Sequence, residues 1–432
     1  MSSINNSVRS VTRIGKNSVE QTLQRLTLAH MLWEDQFYVD GQSSADTISA
    51  LIPKADPSFV ANLAFAARKQ YKLRHVPLLI MRELARNGKM KAEDLAAVIQ
   101  RPDEMGEFLS IYWKDKRTAV SNQVKKGLAK AFVKFNEYSL AKWDKNSANI
   151  SIRDVMFIAH PKPQTPEQEA LFKRVADQKL ATPETWETEL SAGANKKATF
   201  ERLMAENKLG ALAFLRNLRN MRDSGVSTSA IAAYAEKVNT DRVLPFRFLA
   251  AARIVPEFSG MLERMMLASL SSHEKLPGKT VLLIDVSGSM FGTKVSAKSD
   301  LDRFDAAAAL AVLAREICED VEIYSFSDIA VRIGKSYRGM ALVKALSDSQ
   351  RHNGTNTGHA VRAVNAQHPD ATRCIMFTDE QPNQSYTSVP NPVGTGYIVN
   401  VAAYKQGIEN GSWHIVTGFS EAVIDYIQAL EA

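Results

Sequence analysis

Residues 281–290, Val-Leu-Leu-Ile-Asp-Val-Ser-Gly-Ser-Met, constrain this chain more than any other stretch. Four apolar residues in a row, without alternation, suit a strand buried on both faces of a parallel sheet. The run stops at Asp285, and Ser287 and Ser289 follow on the turn. One carboxylate and two hydroxyls then face a single point at the strand's carboxyl end, where open α/β sheets place their ligands. Carboxylate and hydroxyl oxygens are hard donors, suited to Mg²⁺ and poorly suited to zinc.

Such a site needs further oxygens, and the chain supplies them in order. Asn353-Gly354-Thr355-Asn356-Thr357-Gly358 is a hydroxyl-bearing loop between glycines, and residues 373–379 form a second apolar run ending at Asp379. Around them, strands are expected at 280–285, 321–326, 329–333, 373–378, 397–403 and 413–416, with helices near 302–318, 337–347, 357–367 and 420–430. That alternation predicts a mainly parallel sheet covered on both faces. Asp285, Ser287, Ser289, Thr355 and Asp379 match, residue by residue, the metal-ion-dependent adhesion site of von Willebrand factor A domains. The last third of the chain resembles that family, except that Asn353 stands where many members have Gly. The resemblance implies a Rossmann-like α/β domain carrying a divalent metal ion, Mg²⁺ first. A helix cap would account for Asp285 and Ser287 alone, but not for three segments agreeing in type and order.

The first part reads differently. Apolar helical segments run near 103–113, 120–140, 165–179, 197–222, 227–236 and 243–270, with short polar breaks between them. These are the lengths of stacked helical hairpins, here without a strict sequence period, and a HEAT-like stack is expected. A polar stretch ending in Pro277-Gly278 marks the change, which sets the domains at 1–275 and 276–432. Tyr71 to Leu78, Phe132 to Trp143, and Ile152-Arg153-Asp154 with His160-Pro161-Lys162-Pro163 resemble the TROVE domain, and Thr378 to Gln381 resembles its C-terminal partner. A TROVE domain followed by an A domain is the layout of the Ro autoantigen family and its bacterial relatives. The resemblance implies a monomeric ring of helical repeats closed by the A domain. Such a ring binds small noncoding Y RNA outside and the ends of misfolded RNA in its hole, and cooperates with an exoribonuclease such as polynucleotide phosphorylase.

Charge points the same way. The net charge of +7 is uneven: residues 1–275 hold 41 Lys and Arg against 30 Asp and Glu, and the remainder holds 13 against 17. A basic first part suits a polyanion partner, although a solvated basic surface would show the same count. Lys126, Lys130 and Lys134 fall at i, i+4 and i+8, opposite Val124, Leu128, Ala131, Phe132 and Phe135, and would form a ridge able to contact phosphates. Lys142 and Arg153 extend the basic set. His160 and Lys162, between stiff prolines, offer a ring for a splayed base and an ammonium for phosphate.

Enzyme signatures fail. Gly278-Lys279-Thr280 lacks the first glycine of a phosphate-binding loop, because position 273 is His. No zincin His pair exists, and Ser289 has no His partner placed by the sequence, so no catalytic residue is expected. Cys318 and Cys374 look like small core residues rather than a disulfide. No apolar run reaches the roughly 20 residues of a membrane span, and a cytoplasmic protein is the simplest expectation. The rival reading is a metal-dependent adhesion or chaperone adaptor whose A domain receives a partner's carboxylate.

Overall fold

The computed structural model describes residues 19–29, 41–69, 71, 73–144, 149–241, 243–271, 273–294, 301–379, 389–402, 412–417 and 422–431. Two compact units emerge, one built mainly from residues 40–184 and the other from residues 185–424. Among the described residues, no helix is long and apolar enough to cross a membrane.

Among its described residues, the first unit is built from helices and the turns between them. Its helices include Pro57–Lys69, His75–Arg86, Ala92–Val98, Asp103–Tyr112, Asn122–Phe132, Glu137–Trp143, Ile152–Ala159 and Pro166–Ala176. Neighbours in sequence or next-but-one pack as pairs, as in Pro57–Lys69 on His75–Arg86 and Ala92–Val98 on Asn122–Phe132. The core is continuous, with Leu78, Leu79, Phe108, Val124, Leu128 and Phe132 fully buried. Caps explain the breaks. One helix over 120–140 is expected, yet Asn136 accepts the Ser139 N–H and starts a new helix at Glu137. Ser151 and Asp154 form a reciprocal capping box that starts Ile152–Ala159.

The second unit begins with helices, including Lys196–Ala205, Ala211–Asp223, Pro245–Ile254 and Ser259–Leu270. The single helix expected over 243–270 is divided at Val255, because Pro256 follows and has no N–H to continue the ladder. The single segment over 197–222 is likewise divided, near Asn207, whose φ is 53°. From Leu276 onward strands and helices alternate. Among the described residues the six strands are β1 (Leu276–Asp285), β2 (Cys318–Phe326), β3 (Ala330–Ile333), β4 (Arg373–Thr378), β5 (Thr395–Asn400) and β6 (Trp413–Thr417). Position 403, expected in the fifth strand, lies outside the described residues.

Strand order is β3-β2-β1-β4-β5-β6, and every neighbouring pair is parallel except β2 with β3. This is the order of a doubly wound sheet, with its switch point between β1 and β4. Val281 to Ile284 are buried, as an unalternating strand requires. The helix Arg303–Ile317 packs against β1, β2 and β4, and Ala306 to Ala309 and Ala311, which lie on several of its sides, are all essentially inaccessible. Its other contacts include Pro245–Ile254 and Ser259–Leu270. The change of element type at Leu276 and the packing division near 184 are therefore two different places. Cys318 and Cys374 are buried and not joined in a disulfide, and burial pushes the Cys374 thiol up to about 12.

Gly394 brings β5 beside β4 through a tight turn. Its φ is +69°, and a Cβ there would lie 2.2 Å from the Thr372 carbonyl oxygen. Gly394→Ala should therefore lower unfolding free energy by about 1–3 kcal/mol or more. Gly193→Ala shares a positive φ of +86° but meets nothing within 4 Å, and should cost only about 1 kcal/mol. Urea denaturation of both variants checks the contrast, and equal losses would contradict it.

Candidate metal centre and nucleic-acid interface

Asp285 ends β1 and Asp379 directly follows β4, so the two carboxylates flank the switch point. Neither is exposed to solvent. Asp285 Oδ1 accepts the Ser287 backbone N–H at 2.9 Å, which curls the turn back on the strand end. Asp285 Oδ2 accepts the Thr378 hydroxyl at 2.6 Å, tying the ends of β1 and β4 together. The hydroxyls of Ser287 and Ser289 lie 3.3 Å apart.

The Thr355 loop is docked against this turn. The Gly288 N–H donates to the Asn353 carbonyl at 3.2 Å, and a Cβ on Gly288 would sit 3.1 Å from the His352 carbonyl oxygen. Glycine at 288 is what permits the approach. Past the end of β2, the Ser327 hydroxyl donates to the Gly354 carbonyl at 2.8 Å, and its oxygen accepts the Asn353 N–H at 3.1 Å. Asn353 is absent from the positive-φ residues, so a glycine is not required there. The structure thus brings Asp285, Ser287, Ser289 and Asp379 to the carboxyl end of the sheet, with the loop that carries Thr355 docked on the Ser287–Ser289 turn through Asn353.

The donor set fits a hard divalent cation: two carboxylates and three hydroxyls, with no thiol or imidazole among them. Thr357 Oγ1, two residues past Thr355, is buried without a hydrogen-bond partner. Among the described residues there is no cluster of three or more His, Cys, Asp or Glu suited to a metal. A metal here would depend on hydroxyl donors. One basic residue that sequence reasoning overlooked also belongs to the site. Arg303 donates to Asp379 Oδ2 at 2.8 Å, with only 8% of its side chain exposed.

The residues expected to meet RNA all lie in the first unit. Val124, Leu128, Ala131 and Phe132 are buried beneath the lysine ridge, as its spacing requires. Lys126 is exposed, Lys130 pairs with Glu93, and Lys134 lies past the helix end. The Lys134 ammonium donates to the carbonyls of Ala96 and Ile99, and burial holds its pKa below the usual lysine range. Lys145, part of the same basic run, lies outside the described residues, as do Lys72, Glu380 and Gln381. Lys142 is exposed with its ammonium 5.6 Å from the Tyr138 ring centre.

Arg153, Phe157 and His160 fall at i, i+4 and i+7 on and just after Ile152–Ala159, and all three are exposed. Phe157 is 51% exposed, and the Arg153 guanidinium lies 5.3 Å from its ring centre. Arg153 also donates to the Ala176 carbonyl at 2.8 Å. His160 is the C-cap in a left-handed conformation, φ 48° and ψ 58°, which few non-glycine residues adopt. Its backbone N–H closes the helix, leaving the ring outside it. Lys162 is exposed in the loop beyond.

Burial, and then the neighbouring Asp379 carboxylate, push Asp285 up to about 7. The folded protein then keeps a proton that the unfolded chain loses near pH 3.8. Metal-free stability should therefore fall as pH rises from about 4 to about 7 and level off above. Asp305, pushed up to about 6 mainly by burial, adds to the fall with the same sign. Asp285→Asn cannot ionise and should remove the Asp285 share, leaving a shallower slope in urea unfolding with chelator present. An unchanged slope would mean that Asp285 titrates normally.

Comparison with known proteins gives three findings. The TROVE domain family model matches residues 173–353, which contain Asp285, Ser287 and Ser289 but stop before Thr355. The segments near 71–78, 132–143 and 152–163 lie outside the matched stretch. Telomerase protein component 1 of Mus musculus is 32% identical over 111 residues, 24% of this chain and 4% of that protein. The Rattus norvegicus protein of the same name matches equally, so the chain spans only a small part of these relatives' length. The crystal structure of the Deinococcus radiodurans RO (RSR) protein aligns with 96% of this chain and 99% of its own. Its TM-score is 0.68 at 19% identity, a likeness of fold. The TROVE domain match thus runs from the helices after residue 173 across the change of element type at Leu276 into the doubly wound α/β part.

Proposed function

We propose that this chain is a non-catalytic RNA-binding scaffold whose helical unit holds structured RNA and single-stranded ends. The observation that carries the reading is the exposed stripe of Arg153, Phe157 and His160. An exposed aromatic ring between two groups able to meet phosphate or base edges offers stacking and charge together, the combination that single-stranded RNA uses. Left-handed backbone at His160 turns the chain sharply as the helix ends, and Lys162 follows at once. The TROVE domain match over residues 173–353 supports RNA binding. The finer reading is a Y-like small noncoding RNA and misfolded RNA ends, in a cytoplasmic quality-control or decay role alongside an exoribonuclease such as polynucleotide phosphorylase. The protein would act as a monomeric ring.

The centre at Asp285 belongs to the same proposal as a divalent-cation site, Mg²⁺ first, held by Asp285, Ser287, Ser289, Thr355 and Asp379. Its oxygen-only donor set supports this. A cation there would order the loops at the end of the sheet. RNA affinity would rest on the helical unit.

Salt dependence separates RNA binding from protein adhesion, because each phosphate contact steepens the loss of affinity with salt. Replacing Lys126, Lys130 and Lys162 with Gln should flatten the slope of log K against log salt by roughly 2–3 units. Lys134→Gln should change the slope little and lower stability instead, since its ammonium is spent on helix carbonyls. Phe157→Ala should weaken a single-stranded RNA about 5- to 100-fold, one lost stacking contact, at an unchanged slope. Filter binding at several salt concentrations measures all three. Wild-type affinity in the Lys and Phe157 variants would remove RNA from this surface.

A further inference from the structure

The helix Arg303–Ile317 opens with a cation, the wrong sign for a helix N-terminus, whose macrodipole favours anions. Arg303 is nevertheless buried and firmly placed. Its backbone N–H donates to the Thr293 carbonyl at 3.1 Å. Asp302 and Asp305 form a capping box on either side of it. The adjacent Phe304 stacks on Phe291, with ring centres 4.6 Å apart. From that position the guanidinium reaches Asp379 Oδ2 at 2.8 Å and the Ser289 carbonyl at 3.4 Å. One side chain thus ties the Asp285–Ser289 turn to the end of β4.

Asp285 and Asp379 are both fully buried, and buried carboxylates without a compensating charge are strongly destabilising. A divalent cation would supply that charge, and Arg303 already supplies part of it. The two cations would share the same carboxylates and repel each other in a poorly solvated site. The geometry points to Arg303 as an internal counter-cation, which stabilises the metal-free form and holds the affinity for divalent cations down. This rests on reading the Asp285 centre as a metal site. It makes occupancy sensitive to cation concentration, where a site without Arg303 would stay filled.

Calorimetric titration of the full chain with Mn²⁺ and Mg²⁺ tests the inference, together with thermal unfolding in EDTA and in Mn²⁺. Arg303→Gln should bind Mn²⁺ at least about tenfold more tightly than wild type. It should melt at a lower temperature in EDTA, and its melting temperature should rise further than that of wild type when Mn²⁺ is added. Arg303→Lys keeps the charge and should stay within about threefold of wild type. If the Gln variant is unfolded even with Mn²⁺, Arg303→Met, which keeps an apolar stem, replaces it in the same assays. Equal or weaker Mn²⁺ affinity in the charge-removed variant would overturn the counter-cation role. Asp285→Ala serves as the control: if it binds Mn²⁺ as wild type does, the metal-centre reading itself fails, and the role of Arg303 with it.

Discussion

The α/β part is organised by a costly arrangement, two carboxylates held out of solvent at the ends of adjacent parallel strands. Ionised Asp285 and Asp379 could not share that space on attraction alone, and each element around them offsets part of the cost. The Thr378 hydroxyl and the Ser287 N–H each donate to Asp285. Arg303 donates to Asp379 from the first turn of the long helix. That helix can stand close enough because alanines line its buried length. Glycine at 288 lets the Thr355 loop close over the turn. Packing, caps and hydrogen bonds in this region thus answer one electrostatic demand, and the doubly wound strand order puts that demand at the switch point.

Much of this was legible in the amino-acid order. An unalternating apolar run ending in Asp285 has few structural homes, and a second run ending in Asp379 sets its neighbour. The expected strands and helices from 276 onward fall within a few residues of the observed ones wherever the structure describes them. Arg303 was not legible, because a helix-opening arginine looks like any solvated charge until the fold sets it beside Asp379. The helical part was less readable in its boundaries. Asn136, Pro256 and the left-handed Asn207 divide segments that periodicity alone joins.

Charge counts were a coarser guide than geometry. Three lysines at helical spacing look equivalent in sequence, yet only Lys126 and Lys130 lie on the helix Asn122–Phe132, and Lys130 has Glu93 beside it. The Lys134 ammonium caps another helix, whose carbonyls need a donor. The stripe from Arg153 to His160 is the reverse case. Phe157 carries no sequence signal for binding, since an aromatic at helical spacing is usually core. Its exposure beside Arg153 is what marks it.

The two proposed tasks fall on two places: RNA on the helical surface around 152–162, and a divalent cation at the end of the sheet. Ultraviolet cross-linking of the full chain to a single-stranded RNA, followed by mass spectrometry of the cross-linked peptides, tests that division most directly. Cross-links should fall on the peptide carrying Phe157 and His160, with the same pattern in Mg²⁺ and in EDTA. Cross-links confined to the loops around Ser287 and Thr355, or a helical-surface signal that vanishes in EDTA, would contradict it.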